Sequence, residues 1–278
     1  MDHINRLAVH QDSGAATIDW NDSLAKGLLH FFPLNENVGT KVVDTCGRCK
    51  TSATWTGTVN RGGSKWGRTL NFPSNGSTNS INTNYSVKLP LNAITVSVWL
   101  RPNFAPAHWS FPVTALNDAA TTSDQFALSY SDNVTGAPKF GVSASGGAHF
   151  STSDSSVLMI ENAWNHVVGL FDGANVTVYV NGQQGATAAA VTTVNNTQPT
   201  QSLRFGDNGL ANAWHAGGIA NVAIWNRALK LTEIRRLYGD PLAPLYNPGR
   251  IDIAAMVINS PPAFLETPPA RRLEIIPY

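Results

Sequence analysis

The chain has 278 residues, of which 42% are hydrophobic and 13% are charged, and its formal net charge at pH 7 is +1. The hydrophobic fraction allows a sizeable core, whereas the charged fraction lies well below the roughly 25% usual in globular proteins. Nucleic acids and anionic membranes are captured by dense basic faces, and no basic cluster stands out beyond Arg235-Arg236 and Arg271-Arg272. We therefore expect neither as a partner, and no apolar run has the length of a membrane span.

Residues 1–19 are polar and weakly patterned, and we expect them to form an N-terminal arm. Residues 20–240 contain one short strand-like run after another, with turn signals between nearly all of them. The runs are GLLHFFPL, TLNF, SINT, ITVSVWLRP, QFALSY, KFGVSA, NHVVGLF, VTVYV, SLRFGD and GGIANVAIW. This spacing predicts one all-β domain, a two-sheet antiparallel jelly-roll sandwich.

The stretch WNHVVGLFDGANVTVYVNGQQ shows the sheet pattern most plainly. Val176, Val178 and Val180 recur at period two, as in a strand with two different faces. Asn181-Gly182 then predicts a tight hairpin turn, because both residues tolerate positive φ. We interpret His166, in the preceding apolar run, as a sheet histidine with a satisfied hydrogen bond.

One short helix is predicted near the end of this region, in LKLTEIRRLYGDP. Thr232 is the expected N-cap, and Ile234, Leu237 and Tyr238 form a single apolar stripe at helical spacing. The following glycine and proline end the helix. A helix this short is not stable alone, so we expect its apolar stripe to pack on the sandwich.

Residues 241–278 hold eight of the sixteen prolines, together with the apolar pieces IDIAAMVI, AFL and LEIIPY. Prolines oppose a compact helical subdomain, and exposed apolar surface costs roughly 25 cal/mol per Å². We therefore expect an extended docking arm that packs on a partner chain, with Arg271 and Arg272 pairing with acidic groups of that partner. Its expected apolar contacts are Ile251, Ile253, Val257, Phe264, Leu265, Ile275 and Ile276.

The spacing of carboxylates argues against glycan hydrolysis. A retaining glycosidase needs two carboxyl groups about 5–5.5 Å apart, which a strand supplies from acids two residues apart. The five glutamates have no acidic neighbour two to five positions away. No G-x-S-x-G motif and no H-x-H or H-x-x-x-H spacing occurs, although a Ser-His-Asp triad from distant positions stays open. We therefore predict that the protein is not an enzyme.

Two of the eight tryptophans are candidates for carbohydrate binding. Trp109, in APAHWSFP, and Trp214, in LANAWHAGG, lie in loop-like segments, and His215 follows the second. An exposed aromatic ring can stack on the apolar face of a sugar. The alternative is that these rings pack on their own loops or on a neighbouring subunit. The tryptophans predicted to be core or sheet-packing residues are Trp55, Trp66, Trp99, Trp164 and Trp225.

Three places in the sequence could ligate a metal ion. Asp207 and Asn208, in FGDNG, are the best calcium candidates, followed by the turn at 172–175, but turn chemistry accounts for both. Cys46 and Cys49 form C-G-R-C, yet zinc needs two further ligands and redox use needs a helix N-terminus. Two plain thiols are expected there, with a disulfide as the alternative, and no cofactor is predicted.

Five motifs occur in the order of a LamG-like, concanavalin A-like domain: GLLHFFPLNENVGTKVVDTCG, SKWGRTLNF, ITVSVWLRP, WNHVVGLFDGANVTVYVNGQ and GGIANVAIWNRALKLTEIRRLYGDP. The chain resembles that family over residues 20–240. IDWNDSLAKGL, AIWNRAL, LYGDPLAPLY and RRLEIIPY resemble the variant found in tailed-bacteriophage and prophage genomes. The resemblance implies a jelly roll that serves binding or virion architecture more often than catalysis. Many members read IDEV where this chain has IANV (219–222), which weakens a calcium role there.

These observations predict a non-enzymatic virion structural protein of a tailed phage, displayed as a capsid decoration, head fibre or tail-associated protein. Its partners would be other virion proteins bound through the arms, and it would be a homo-oligomer or be present in many copies. The N-terminus lacks the apolar core of a signal peptide, so we expect synthesis in the host cytoplasm and a final location in the virion. One alternative is a carbohydrate-binding receptor-recognition module of a tail fibre, with host surface glycans as ligands. A second alternative is a glycan hydrolase with an unrecognised site.

Overall fold

The computed structural model of the chain describes residues 17–36, 39–47, 53–73, 79–86, 92–104, 109–115, 126–131, 136–143, 149–151, 156–189, 202–207 and 214–245. These residues form strands, a 3-10 helix (Ser23–Ala25) and an α-helix, α1 (Leu231–Gly239). The strands are β1 (Leu28–Phe32), β2 (Thr54–Thr56), β3 (Asn60–Ser64), β4 (Gly67–Phe72), β5 (Ser80–Ser86), β6 (Ile94–Pro102), β7 (Trp109–Ala115), β8 (Phe126–Ser131), β9 (Pro138–Ser143), β10 (His149–Ser151), β11 (Asn165–Phe171), β12 (Asn175–Val180), β13 (Gln183–Ala189), β14 (Ser202–Phe205) and β15 (Gly217–Trp225).

The strands form two sheets, and the pairings between described strands are antiparallel. The eight-stranded sheet has the order β13-β12-β11-β6-β15-β4-β3, and β1 also pairs with β15. The seven-stranded sheet has the order β10-β9-β8-β7-β14-β5-β2. Side chains from both sheets share one apolar core. The prediction of an all-β, two-sheet antiparallel jelly-roll sandwich is confirmed.

Strand β15 pairs with three neighbours in the eight-stranded sheet. Its first residues pair with β4, its last with β1, and β6 runs along its other edge. The register with β6 shifts between Ala220 and Ala223, where Asn221 has a φ of +50° and donates its N–H to the Pro33 carbonyl. Asparagine tolerates the left-handed region better than most other residues. The asparagine of the IANV segment therefore suits a β-bulge.

A second apolar cluster lies on the outward face of the eight-stranded sheet. Its members come from α1, the 3-10 helix and the outward side chains of β1, β11 and β15, among others. Trp225 belongs to this cluster, fully buried, and its indole N–H donates to the Leu24 carbonyl at 2.6 Å. Trp99, from β6, is also buried. Burial of both rings confirms the prediction, although neither belongs to the core between the sheets.

Helix α1 begins two residues earlier than its predicted N-cap implied. The N-cap is Lys230 and not Thr232, because Glu233 reaches back to accept the Lys230 N–H at 2.9 Å. Arg227 holds the same carboxylate at 2.7 and 2.8 Å. The apolar stripe is narrower than predicted, since Ile234 and Leu237 are buried but Tyr238 is 43% exposed.

The described sandwich extends beyond residues 20–240 at both ends. Ile18 pairs with Leu245 in an antiparallel bridge, and the Asp19 N–H donates to the Pro244 carbonyl at 3.0 Å. Ile18, Ala243 and Leu245 are buried in the second cluster, so residues 241–245 pack on the domain. The named residues of the docking arm lie outside the described residues, and that arm stays a prediction. They are Ile251, Ile253, Val257, Phe264, Leu265, Arg271, Arg272, Ile275 and Ile276.

We expect a chain that ends at Asp240 to be less stable than a chain that ends at Tyr246. The shorter chain loses the buried side chain of Leu245, and burial of a leucine contributes about 2 kcal/mol. Urea unfolding of the two truncated chains measures the difference in free energy. Leu245→Ala in the longer chain is the matched control and should account for most of that difference. Equal stability of the two chains would contradict the packing of residues 241–245.

Candidate functional site

Trp109, the first carbohydrate-binding candidate, begins strand β7 instead of lying in a loop. It is 44% exposed, and the Nζ of Lys139 lies 4.6 Å from a ring centroid. The next residue, Ser110, is buried. Because side chains alternate along a strand, Trp109 faces outward from the seven-stranded sheet. The structure therefore leaves this ring accessible, with a lysine over it.

Trp214 pairs with Asp207 in an isolated bridge and is half-buried. The next residue, His215, is fully buried, with its Nδ1 2.9 Å from the Tyr130 Oη and 3.2 Å from the Ser110 Oγ. Burial lowers the pKa of His215 to about 3. The expectation that His215 could contact a glycan is therefore corrected, because its ring is enclosed within the sandwich.

Asp207, the calcium candidate, already has a cationic partner. Its Oδ1 lies 2.8 Å from the Arg204 Nε and its Oδ2 lies 3.0 Å from the Nη2, a bidentate ion pair. Asp172 accepts hydrogen bonds from two backbone N–H groups of its own turn, at 2.8 and 2.7 Å. Within the described part of the chain, no three His, Cys, Asp or Glu side chains group as metal ligands. Asn208 and Cys49 lie outside the described residues, so the expectation of two plain thiols in CGRC stays a prediction.

The buried histidines show no Ser-His-Asp triad among the described residues. His30 places its Nδ1 2.8 Å from the Asp44 Oδ2, whereas His166 places its Nε2 2.8 Å from the Ser97 Oγ. The side-chain partners of His215 among the described residues are the two hydroxyl groups given above. A triad needs the serine and the acid on one histidine, and these groups are all buried away from substrate. These histidines form hydrogen bonds between buried side chains of the fold.

Each described carboxylate is engaged by a base or by a backbone N–H. Glu36 accepts the Val43 N–H at 2.8 Å, and its Oε2 lies 3.5 Å from the Arg61 Nη1. Burial raises the pKa of Glu36 despite these partners, but a glycosidase acid also needs a second carboxylate. The engaged acids are Asp19, Asp22, Glu36, Asp44, Glu161, Asp172, Asp207, Glu233 and Asp240.

A group of aromatic rings covers part of the outward face of the eight-stranded sheet. We call Trp66, Trp99, Trp164 and Tyr238 the aromatic platform. The Trp66 ring lies 4.0 Å from Trp99 and 6.0 Å from Trp164 between centroids. Tyr238 stacks on Trp99 at 5.9 Å, with the planes 13° apart. Trp99 is buried against the Trp66 and Tyr238 rings. Trp66, Trp164 and Tyr238 remain partly exposed.

Four separate segments bring these rings together. Trp99 is an outward residue of β6, Trp66 lies in the turn between β3 and β4, Trp164 precedes β11, and Tyr238 lies in the last turn of α1. His166, opposite Trp99 across the β6–β11 pair, stacks on it at 5.3 Å. Its Nε2 is hydrogen-bonded, as predicted, whereas its buried Nδ1 has no partner among the described residues.

A polar cleft of about 350 Å³ opens beside the platform. Its polar side chains belong to Asn71, Arg101, Asn103 and Asn162, and we call this group the polar cleft. The guanidinium carbon of Arg101 lies 6.0 Å from the Trp164 ring centroid. The cleft is therefore contiguous with the platform.

Two consecutive glycines of β15 make room for this arrangement. Gly218 lies opposite Asn71 on β4 and opposite Arg101 on β6. A Cβ at Gly218 would come 2.8 Å from the Cη2 of Trp164, a distance too short for a real contact. Gly217 has a φ of +121°, and a Cβ there would come 2.1 Å from the Arg101 carbonyl oxygen. Because Gly218 has no side chain, the Trp164 ring can lie against β15, while Gly217 leaves room for the Arg101 backbone.

The site combines the two kinds of group that a polyhydroxylated ligand needs. Partly exposed aromatic rings offer flat apolar faces, and three carboxamides with one guanidinium offer hydrogen-bond donors and acceptors. A concave surface with apolar walls and a few convergent polar groups is the usual form of a small-molecule site. The described lining of the cleft contains no carboxylate.

Sequence reasoning missed this site because it assigned Trp66 and Trp164 to core or sheet packing. The alternation in ITVSVWLRP held a usable signal, since Val96, Val98 and Leu100 face the core and place the residues between them outward. Lys65-Trp66, a Lys-Trp pair at the turn between β3 and β4, was a second signal of an outward-facing ring. Neither signal could show that four distant segments meet on one face.

The fold and the site define a concanavalin A-like sandwich with an aromatic platform and a polar cleft on its eight-stranded sheet. The chain belongs to the concanavalin A-like lectin/glucanases superfamily, because the Laminin_G_3 model of that superfamily matches residues 75–235, more than half of the chain. No curated protein sequence matches the chain. In the part that the structure describes, no helix has the length and hydropathy needed to cross a membrane.

Several solved structures share the fold. Domain 4 of AbnA, a GH43 extracellular arabinanase from Geobacillus stearothermophilus in complex with arabinotriose, has a TM-score of 0.58 at 18% identity. That comparison covers 76% of this chain and 98% of the domain. The binding domain of Paraclostridial Mosquitocidal Protein 1 (TM-score 0.58, 17% identity) and the receptor binding domain of botulinum neurotoxin D (0.57, 15%) each match 78% of this chain. The chain spans about half of each toxin structure, 52% and 53%.

The buried histidines should make the fold sensitive to acid. Burial lowers the pKa of His166 and of His215 to about 3, whereas both have a pKa near 6.5 in the unfolded chain. Between these values the unfolded state binds more protons, so the free energy of unfolding should fall as the pH drops from about 6.5 towards 3. Urea unfolding at several pH values measures this slope.

His166→Gln and His215→Gln should each reduce that slope, because each removes one group that titrates only on unfolding. The quantity compared is the slope of the free energy of unfolding against pH. A variant that is less stable at every pH therefore still gives a usable slope. Slopes equal to that of the unchanged protein would contradict the neutral, buried state of the two histidines.

Proposed function

We propose that this protein is a non-catalytic glycan-binding component of a tailed-phage particle, and that it binds sugar at the aromatic platform and polar cleft. The observation that carries the glycan part is the position of three partly exposed rings directly beside a cleft lined by carboxamides and a guanidinium. Stacking on the rings would bind the apolar face of a sugar, while the amides would bind its hydroxyl groups.

The related structures support a binding role by analogy. The AbnA domain was solved in complex with arabinotriose, and the two toxin structures are a binding domain and a receptor binding domain. The engaged carboxylates support the absence of catalysis, because a glycosidase needs a free pair of carboxyl groups. A host surface glycan is the ligand that fits this role.

The virion part of the proposal is supported by the phage-like phrases AIWNRAL and LYGDPLAPLY and by the apolar, proline-rich stretch that follows them. We propose that the segment after Tyr246 binds other virion proteins, as capsid decoration or tail component, and that several copies assemble on each particle. Synthesis in the host cytoplasm followed by incorporation into the virion is the corresponding route.

We expect Trp164→Ala and Trp66→Ala each to weaken glycan binding by about fivefold, since an aromatic contact contributes about 1 kcal/mol. A glycan array that includes arabinotriose and bacterial surface glycans identifies a ligand, and calorimetry on that ligand measures the affinities. The same glycan should be recovered uncleaved after long incubation.

Trp109→Ala is the matched control, because it removes an exposed tryptophan from the other sheet. It should leave the affinity unchanged, and thermal unfolding should show that all three variants are folded. Loss of binding in Trp109→Ala or Trp214→Ala, with the platform variants unaffected, would move the site to the seven-stranded sheet.

A chain that ends at Tyr246 should fold and bind glycan normally but should fail to enter phage particles. It keeps the described domain, and it lacks the segment proposed to bind other virion proteins. Co-expression with the particle proteins, followed by purification of particles and immunodetection, measures incorporation. Normal incorporation of the truncated chain would contradict the docking role, and absence of the full-length chain from particles would contradict the virion role.

A further inference from the structure

Within the described part of the chain, the cationic side chains beside the site have no acidic partner, unlike four other arginines. Among the described residues, the Arg101 guanidinium has no ion pair or hydrogen bond, and its contact is the Trp164 ring at 6.0 Å. On the platform side, the Nζ of Lys65 lies 4.8 Å from the Trp66 ring and 6.0 Å from the Trp99 ring. The arginines that do form ion pairs with a carboxylate are Arg61, Arg204, Arg227 and Arg236.

Acidic groups are scarce at the site. The described lining of the polar cleft contains no aspartate or glutamate. Glu161, the sequence neighbour of Asn162, has its Oε1 engaged by the Phe104 N–H at 2.9 Å. A guanidinium that is half-buried, lies over an indole and lines the same cleft as three carboxamides is poised for an anion. Its planar fork can bind two oxygens of a carboxylate or phosphate at once.

The cross-strand register fixes where that guanidinium lies. Arg101 and Asn71 stand on either side of Gly218, which has no side chain to separate them. Gly218 also admits the Trp164 ring, so the cation, the amide and the stacking surface converge at one point of the sheet. A sugar ring on Trp164 would therefore present a substituent directly to Arg101.

We infer that the polar cleft selects an acidic saccharide, one whose carboxylate or phosphate binds Arg101 while its ring stacks on the platform. This inference rests on the proposed glycan-binding function and adds the class of ligand. Lys65 contributes a second positive charge on the same face, which favours a chain with more than one acidic unit.

The test uses matched pairs of acidic and neutral probes on the full-length protein. Trigalacturonic acid is compared with its methyl ester, and mannose 6-phosphate with mannose, by calorimetry at low and high salt. We expect the acidic member of at least one pair to bind tenfold or more tightly than its neutral partner. Its affinity should fall with salt, because charge pairing is screened. The responding pair distinguishes a carboxylate ligand from a phosphate ligand.

Arg101→Gln should remove the preference for the acidic probe, so that the acidic and neutral members of a pair bind with similar affinity. Arg101→Lys should restore part of the preference, since it keeps the charge but not the bidentate geometry. Lys139→Gln is the matched control, because it removes one positive charge beside Trp109 on the other sheet. It should leave the preference unchanged.

Equal binding of acidic and neutral probes, or an unchanged preference in Arg101→Gln, would overturn the inference while leaving the glycan-binding proposal intact. If Lys139→Gln and Arg101→Gln lost the preference for the acidic probe equally, the inference would also be overturned. The preference would then depend on the net charge of the protein and not on the polar cleft. If no probe and no glycan on the array binds, the proposed glycan-binding function is itself contradicted.

Discussion

The eight-stranded sheet has apolar side chains on both faces, and this constraint shapes the rest of the molecule. Its inward face packs on the seven-stranded sheet in the main core. Its outward face carries Val168, Leu170 and Trp225, which also have to leave water. Helix α1, the 3-10 helix and residues 241–245 supply the cover. The short helix is stable because it completes this burial, and not because of its own length.

The cover does not extend over the whole outward face, and the candidate site lies where α1 ends. Tyr238, in the last turn of α1, stacks on Trp99 and on His166 with one side and leaves the other in solvent. Beyond it, rings from the β3–β4 turn and from the start of β11 complete the platform. Residues that cover part of the outward face of the sheet thus also form the surface at which we propose that a sugar binds.

Charge is distributed in the fold according to burial. The buried histidines His166 and His215 are neutral because burial lowers their pKa, and the half-buried arginines that support loops and helix ends pair with acids. Among the described residues Arg101, near the end of β6 and beside the glycines of β15, departs from this rule. Its position next to the aromatic rings is the basis of the preference for an acidic ligand that we infer.

The sequence by itself determined the sandwich, its turns and its helix, because alternation, turn residues and helical spacing are local properties that neighbouring residues reveal. It also indicated that Trp99 and Trp225 are buried, and that catalytic carboxylate pairs are missing. Only the tertiary structure decided that His215 is enclosed, that Asp207 is paired with Arg204, and that Trp66 and Trp164 face solvent together. Those outcomes depend on which distant strands become neighbours and in what register. The exposure of a ring depends on the segments that cover it, and a local sequence pattern does not encode either property.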